Sequence, residues 1–212
     1  PSVSRRRFLQ GSGCGAAGAA LGGMMPAAAE PEGDASATTL AGSPLPPGDT
    51  LRVKPALVYQ IPTRAEKTSW RWYGGIQTIA DVQKEAARLT GDLKALAAGS
   101  GFPVEFLPLA LVGDAPKAKE VAAGDQDATL IFGACGYGHE LPSLLAASKA
   151  PAVLFLRHRT EPHYCQHVSA HAIFLRHWTD APVEPNMDVD DVAIDDYDEV
   201  LWRLRALYGL KN

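Results

Sequence analysis

Cysteines, long apolar runs and surplus positive charge are all scarce in this sequence. Its three cysteines in 212 residues are too few for a disulfide framework, although Cys135 and Cys165 could form one bond in an oxidising compartment. No apolar stretch reaches the about 20 residues that a membrane span needs. The net charge of −4 disfavours nucleic acid and anionic lipid, so we expect no nucleic-acid partner and no stable membrane anchor. The remaining composition, 46% hydrophobic and 21% charged, is typical of a globular domain.

The first 29 residues resemble a bacterial export signal. The arginine run Arg5–Arg7 leads through Phe8-Leu9 into a Gly/Ala-rich apolar segment of roughly fifteen residues, which is too short to cross a membrane. An arginine pair followed by Phe-Leu resembles the twin-arginine motif, and residues 27–29 supply a small-residue cleavage pattern. We therefore predict a signal peptide over 1–29, recognised by the twin-arginine export machinery, and a periplasmic or otherwise exported protein. A disordered basic arm or an uncleaved anchor is the alternative.

Beyond the signal, the pattern predicts a linker and one α/β domain. Residues 30–50 are rich in Pro, Gly, Ala, Ser and Thr without an apolar period, which is typical of a flexible linker. From residue 51, apolar strands alternate with amphipathic helices; the predicted strands are 53–61, 102–111, 127–134, 151–158 and 192–194, and the predicted helices begin at residues 78, 115, 140 and 196. Strands that are apolar throughout indicate a parallel sheet covered on both faces. We predict a doubly wound α/β domain over 51–212, Rossmann-like or flavodoxin-like, with a mostly parallel sheet.

The first and last helices have the clearest local patterns. Thr78 with Asp81 three residues later resembles a capping box. One apolar stripe of the first helix is predicted to comprise Ile79, Val82, Ala86, Leu89, Leu93 and Leu96. The last helix is predicted to bury Tyr197, Val200, Leu201, Leu204 and Leu207 and to end near Gly209, a plausible C-cap. Because the chain opens on Pro and stops where an α/β protein enters its next strand, we expect the N-terminal part of a longer protein.

A glycine-rich turn is the first candidate for ligand binding. The stretch GACGYGHE, residues 133–140, directly follows the third predicted strand, and ligands of open α/β sheets bind at the carboxyl ends of strands. Gly133, Gly136 and Gly138 would let backbone N–H groups approach a ligand at the start of the next helix. No GxGxxG dinucleotide fingerprint is present, and a tight turn that simply needs glycine is the alternative.

Two further candidates follow other strands. The loop after the first strand contains Trp70, Arg71 and Trp72. Aromatic rings beside a basic residue are suited to stacking on a sugar, and they are equally suited to packing in a subunit interface. Arg157 and His158 end the fourth strand and could bind sugar hydroxyls or an anion by charge-assisted hydrogen bonds. A doubly wound sheet would bring Trp72, Arg157 and His158 to one edge together with residues 133–138.

Histidines and acids form two clusters that could hold a metal. His163, His167 and His171 are spaced four apart, which on a helix suits zinc or copper, but solvated loop histidines around a cleft are the favoured interpretation. Seven acids lie between 188 and 199 without the EF-hand spacing, so we expect them to stabilise a helix start through its dipole. No metal ligand and no catalytic residue is assigned within these 212 residues.

Several stretches together resemble a known family. The twin-arginine leader, KPALVYQIPTR, TSWRWYGGIQT, FLRHRTEPHY and the closing VDDVAIDDYDEVLWRLRALYGLKN are similar to the N-terminal part of exported proteins related to L-fucose/L-arabinose isomerase-type sugar isomerases. The resemblance implies Rossmann-like N-terminal domains, a catalytic C-terminal domain with a manganese-type divalent metal beyond Asn212, a sugar substrate and a homo-oligomer. It implies aldose–ketose isomerisation by the full-length protein and an inactive fragment here.

Three classes of function remain open. The first is the substrate-side domain of an isomerase-like enzyme, the second is a non-catalytic exported carbohydrate-binding protein, and the third is a histidine-rich metal-binding protein. The first requires a Glu/Asp/His metal set downstream of residue 212, whereas the second does not. The residues that we assign to substrate binding are the same in the first two classes: Trp70, Arg71, Trp72, Gly133, Gly136, Gly138, Arg157 and His158.

Overall fold

A computed structural model describes residues 48–71, 76–134, 140–164 and 187–212 of the chain. The predicted signal peptide and the linker up to residue 47 lie outside the described residues, as do Trp72, Gly136, Gly138, both cysteines that could pair, and His167 and His171. Within the ranges described, no helix has both the length and the apolar character needed to cross a membrane.

The described strands form one six-stranded sheet. Its strands are β1 (Leu51–Val58), β2 (Val104–Phe106), β3 (Ala110–Val112), β4 (Ala128–Gly133), β5 (Ala152–Leu156) and β6 (Val192–Ile194). The order is β2-β1-β4-β5-β6, with β3 also paired to β1, and every described pair is parallel. Strands β4 and β5 are buried at every position, as strands covered on both faces should be.

The second predicted strand is divided in two. Residues 102–111 were expected to form one strand, but β2 pairs with the first half of β1 and β3 with its second half. Pro108 lies between them and has no N–H to donate to a ladder, which accounts for an interruption at an edge of the sheet. The prediction of a single strand over 102–111 was therefore wrong, although both halves occupy the expected place.

Four helices of the described ranges cover the two faces of the sheet. They are α1 (Ile79–Gly99), α2 (Ala115–Ala122), α3 (Glu140–Ala147) and α4 (Tyr197–Lys211). Helices α2 and α3 contact each other on one face, whereas α1 and α4 meet through a hydrogen bond from Tyr197 to Asp92. The doubly wound α/β fold is confirmed, and the short β6 with its following helix lies where the pattern placed it.

Helix α1 begins at the predicted cap. The Thr78 side chain accepts a hydrogen bond from the Asp81 N–H at 3.2 Å, and the Asp81 carboxylate accepts from the Thr78 N–H at 2.9 Å. Its buried stripe differs from the predicted one at three positions, one of which is Ala86, only partly buried. Ile79 is 54% exposed because it opens the helix, and Glu85 is buried in the stripe beside Leu89.

The last helix continues beyond its predicted end. Helix α4 runs through Gly209 to Lys211, so the prediction of a C-cap at Gly209 was wrong. The end of the helix holds the start of the domain, since the Gly48 N–H donates to the Tyr208 hydroxyl at 2.6 Å and the Lys211 amine donates to the Thr50 carbonyl at 2.8 Å. These contacts explain why the helix extends where glycine alone would favour a stop.

The strand order reverses between β1 and β4. After β1 the chain passes to β2 and β3 on one side, and it then returns to β4 on the other side. With β2 and β3 counted as halves of one edge strand, this is the flavodoxin-like order. In such sheets the crevice for ligands opens at the carboxyl ends of the strands around the reversal.

Candidate functional site

Parallel pairing places the described candidate residues of β4 and β5 at one edge. Gly133 ends β4 opposite Val58, the last residue of β1, and Arg157 and His158 follow directly after β5, the neighbour of β4. The carboxyl ends of parallel neighbours share an edge, so these residues lie on the predicted binding side of the sheet.

The tryptophan candidates are described only in part. Trp70 is half-buried, and the Arg71 guanidinium lies over its ring at 5.2 Å from the centroid. This is a cation–π contact between the two predicted residues themselves. It occupies one face of the indole, which leaves the other face for any stacking contact with a ligand.

A cleft of about 420 Å³ opens beside the carboxyl end of β5. It is lined by residues from α1, the segment after β5 and the start of α4: Arg88, Asp92, Phe155, Arg157, Thr160, Glu161, Asp195 and Tyr197. The size lies within the range of small-molecule sites. Of the predicted substrate-binding residues, Arg157 lines this cleft, and the exposed His158 follows it.

Arg157 is the most unusual side chain of the cleft because it is charged and only 5% exposed. Its guanidinium lies over the Tyr164 ring at 5.2 Å and 3.6 Å from the Glu85 carboxylate. Its Nη1 also donates a long hydrogen bond, 3.5 Å, to the Glu161 carbonyl. A guanidinium has five N–H donors, so these contacts with described residues leave donors to face a ligand.

Glu85 lies behind the arginines as their shared counter-ion. Arg88 donates to both of its carboxylate oxygens, at 2.9 and 2.5 Å, and the Tyr164 hydroxyl donates to one of them. Burial alone raises the pKa of Glu85, but the hydrogen bonds from Arg88 and Tyr164, together with the charges of Arg88 and Arg157, outweigh it and hold this pKa below its usual range. Glu85 is therefore ionised at neutral pH.

Asp92 and Tyr197 also line the cleft. The Tyr197 hydroxyl donates to Asp92 at 2.8 Å, and Arg88 donates to the same carboxylate oxygen. The Tyr197 ring stacks on Phe155 with a centroid distance of 4.6 Å and an interplanar angle of 8°. Burial, followed by the hydrogen bond and the charge of Asp92, raises the pKa of Tyr197 to about 12. The second oxygen of Asp92 has no described partner and can accept from a ligand.

The acidic cluster serves the start of α4 only in part: Asp196, Asp198 and Glu199 lie there as predicted, whereas Asp195 has another role. Asp196 caps α4 by accepting from the Asp198 N–H at 2.8 Å. Asp195 accepts from the N–H groups of His158 and Arg159, at 2.7 and 3.1 Å, and so fixes the backbone just after Arg157. Asp195 has a φ of 58°, a left-handed conformation that Asp tolerates better than most residues.

A second cleft of about 450 Å³ lies beside the divided edge strand. Its charged groups already have partners: Arg52 pairs with Asp125 at 3.0 Å, Lys117 pairs with Glu120 at 2.6 Å, and Lys54 donates to the Pro108 carbonyl at 2.8 Å. The charged groups of the cleft at β5 have partners as well, so position and not pairing separates the two clefts. Arg52 and Lys54 lie in the first half of β1, away from the carboxyl ends of the strands, so the cleft at β5 is the better candidate for binding.

The cleft offers hydrogen-bond donors and acceptors side by side. Arg157 supplies donors, Asp92 supplies an acceptor and Tyr197 adds an aromatic ring within the same walls. Among the described ranges, no three His, Cys, Asp or Glu side chains lie close enough to hold a metal ion. What the described arrangement can do is bind a small polar molecule by charge-assisted hydrogen bonds.

Sequence reasoning did not identify four of the residues that shape the cleft. Glu85, Arg88 and Asp92 lie on α1, and Tyr197 was expected only as an apolar contact of α4. One signal was readable, because Glu85 occupies a stripe position between Val82 and Leu89, where a charged residue needs a partner. The partners themselves come from distant parts of the chain.

Comparison with protein-family models, curated proteins and solved structures found no match to this chain. The fold and the cleft define the class of protein: a doubly wound α/β domain with a polar cleft at the carboxyl end of β5.

Proposed function

We propose that this chain is the substrate-side domain of an exported sugar isomerase-like protein and that it binds a monosaccharide in the cleft beside β5. The observation that carries the proposal is the alternation of Arg157 donors and Asp92 acceptor around a space of about 420 Å³. Each sugar hydroxyl both donates and accepts, so closely spaced hydroxyls match such an alternation. The Tyr197 ring supplies an apolar surface for the C–H groups of a pyranose.

The chemical step is the part of the proposal that rests on the resemblance. Aldose–ketose isomerisation moves a proton between C1 and C2, and a divalent metal of the manganese type would polarise both oxygens. We expect its ligands to lie beyond Asn212. The present residues would then hold and orient the sugar, with Gly133 at the same edge of the sheet as Arg157 and with Trp70 proposed to stack on the sugar.

Binding is tested with the purified chain and a panel of monosaccharides that includes L-fucose and L-arabinose. Titration calorimetry and saturation-transfer NMR should detect one binding site. Replacement of Arg157 by Met should weaken binding at least about tenfold, because a charge-assisted hydrogen bond is lost from a buried position. The neighbouring Arg159→Met variant is the control, since the Arg159 side chain is 87% exposed and should leave affinity within about twofold. Equal losses in both variants would remove the cleft from the proposal.

Turnover separates the isomerase from a non-catalytic carbohydrate-binding protein. The 212-residue chain with manganese and the same aldoses should form no ketose, whereas the full-length protein should form it and lose activity with a chelator. Binding without turnover by the full-length protein would favour the carbohydrate-binding protein. Chelator-sensitive turnover by the present chain would contradict the placement of the metal ligands beyond residue 212.

Export is a separate part of the proposal. Replacement of the arginine pair Arg5–Arg6, or of Arg6–Arg7, by lysines should leave the protein unprocessed in the cytoplasm, because the guanidinium and not the charge alone is recognised. Cell fractionation and the mass of the mature protein measure this. Normal processing of both variants would point to a general secretory signal.

A further inference from the structure

We propose that Glu85 is a specificity-determining residue that makes the cleft accept uncharged polar ligands and reject anions. The inference rests on the cleft of the proposed function, but it concerns charge and not the identity of a sugar. A buried carboxylate beneath two arginines is the central observation, since the Glu85 side chain is only 3% exposed.

The position of Glu85 changes what the arginines offer to the cleft. It forms a two-oxygen pair with Arg88 and lies 3.6 Å from Arg157, so one negative charge is shared by two guanidinium groups. A buried charge is screened less by water than an exposed one, so the field of Glu85 reaches the cleft. The N–H groups of Arg157 stay available for hydrogen bonds, while Glu85 lowers the positive potential that would attract an anion.

The rim of the cleft acts in the same direction. Among the described residues, the lining holds two arginines, Arg88 and Arg157, against three carboxylates, Asp92, Glu161 and Asp195, before Glu85 is counted. A site built for phosphate or carboxylate leaves its guanidinium groups without such competitors. An anion entering this cleft would meet Asp92 in contact with Arg88 and would have to displace it.

Inorganic phosphate is the probe, because it requires no knowledge of the natural ligand. The Glu85→Gln variant keeps the size of the side chain and one acceptor for Tyr164 but removes the charge. We expect this variant to bind phosphate about tenfold more tightly than the wild type, by calorimetry and by the shift of the Arg157 Nε–H signal in NMR. Glu120→Gln is the matched control, since Glu120 pairs with Lys117 at the surface and its loss changes the net charge by the same amount. Equal gains in both variants would overturn the proposal.

A measurement on the wild type keeps the inference falsifiable if Glu85→Gln does not fold, and a double variant tests it further if Glu85→Gln does fold. The wild type should show no phosphate shift at Arg157 at millimolar concentration, and a clear shift there would by itself overturn the proposal. The double variant Glu85→Gln with Arg157→Met should lose any gain in phosphate affinity. Failure of all monosaccharides to bind, with phosphate still rejected by the wild type and accepted by Glu85→Gln, would refute the sugar proposal and leave the role of Glu85 standing.

Discussion

Replacing Thr129 by Val should stabilise the protein, although the change removes a polar group from a central strand. Thr129 lies in β4 with 0% of its surface exposed, and its hydroxyl has no hydrogen-bond partner among the described residues. The backbone N–H of Thr129 has a partner of its own, since it donates to the Pro151 carbonyl at 2.9 Å. Val has nearly the same shape and the same β-branching, so the strand geometry should persist.

The expected gain follows from the cost of the unpaired hydroxyl. A buried polar group without a partner costs about 1–3 kcal/mol, and a methyl group in its place adds about 0.8 kcal/mol of apolar burial. Because denatured chains already bury part of their surface, we expect a net gain of about 1.5 kcal/mol. For a domain of this size that corresponds to a rise in melting temperature of roughly 3–6 °C.

Urea denaturation followed by circular dichroism measures the change. The midpoint should rise without a change in slope. Thr90→Val is the matched control, since the Thr90 hydroxyl is exposed and donates to the Ala86 carbonyl at 2.8 Å, and its removal should change stability by no more than about 0.5 kcal/mol. If Thr129→Val lost about 1 kcal/mol or more, the hydroxyl would have a partner and the reasoning would fail.

Three other expectations are checked by urea denaturation or by titration with pH. Gly91→Ala should stabilise α1 by about 0.5–1 kcal/mol in urea denaturation because open space surrounds the site, whereas Gly101→Ala should destabilise by about 1 kcal/mol because φ is +68° there. Asp92→Asn should lower the pKa of Tyr197 from about 12 toward 10.0, read from tyrosinate absorbance; an unchanged value would contradict the hydrogen bond. Glu85→Gln should lower the free energy of unfolding by its full amount above the ordinary Glu pKa of 4.5, and by less as the pH falls through the lowered pKa of the folded state. A loss that stayed constant down to acid pH would contradict a lowered pKa of Glu85.

The fold was predictable because its signals are local. Apolar runs such as Ala128–Gly133 need only their own composition to indicate a strand buried on both faces, and the Thr78 capping box marks a helix start within four residues. The division of 102–111 into β2 and β3 was not predicted, since it depends on how Pro108 meets the ladder of β1. Element type is a property of short windows, whereas pairing is a property of the sheet.

The cleft was predictable only in part for the same reason. Arg157 follows from its place at the end of a strand in any doubly wound sheet. Its partner Glu85 is distant along the chain, and the sequence around neither residue indicates the other. The Asp92 to Tyr197 hydrogen bond likewise joins α1 to α4. A charged residue on an apolar stripe predicts that a partner exists, but the sequence does not show which residue that partner is.

The charged network is better explained by binding than by stability. Burying an ion pair costs desolvation that the attraction between its charges barely offsets, so apolar residues at the positions of Glu85 and Arg157 would serve the core equally well. What apolar residues could not do is hold a guanidinium at a fixed place on the wall of a cleft. The Tyr164 ring and the Glu85 carboxylate fix Arg157 before any ligand arrives, so less side-chain freedom is lost when one binds. A network that adds little to folding but removes this cost is what a selective polar site requires.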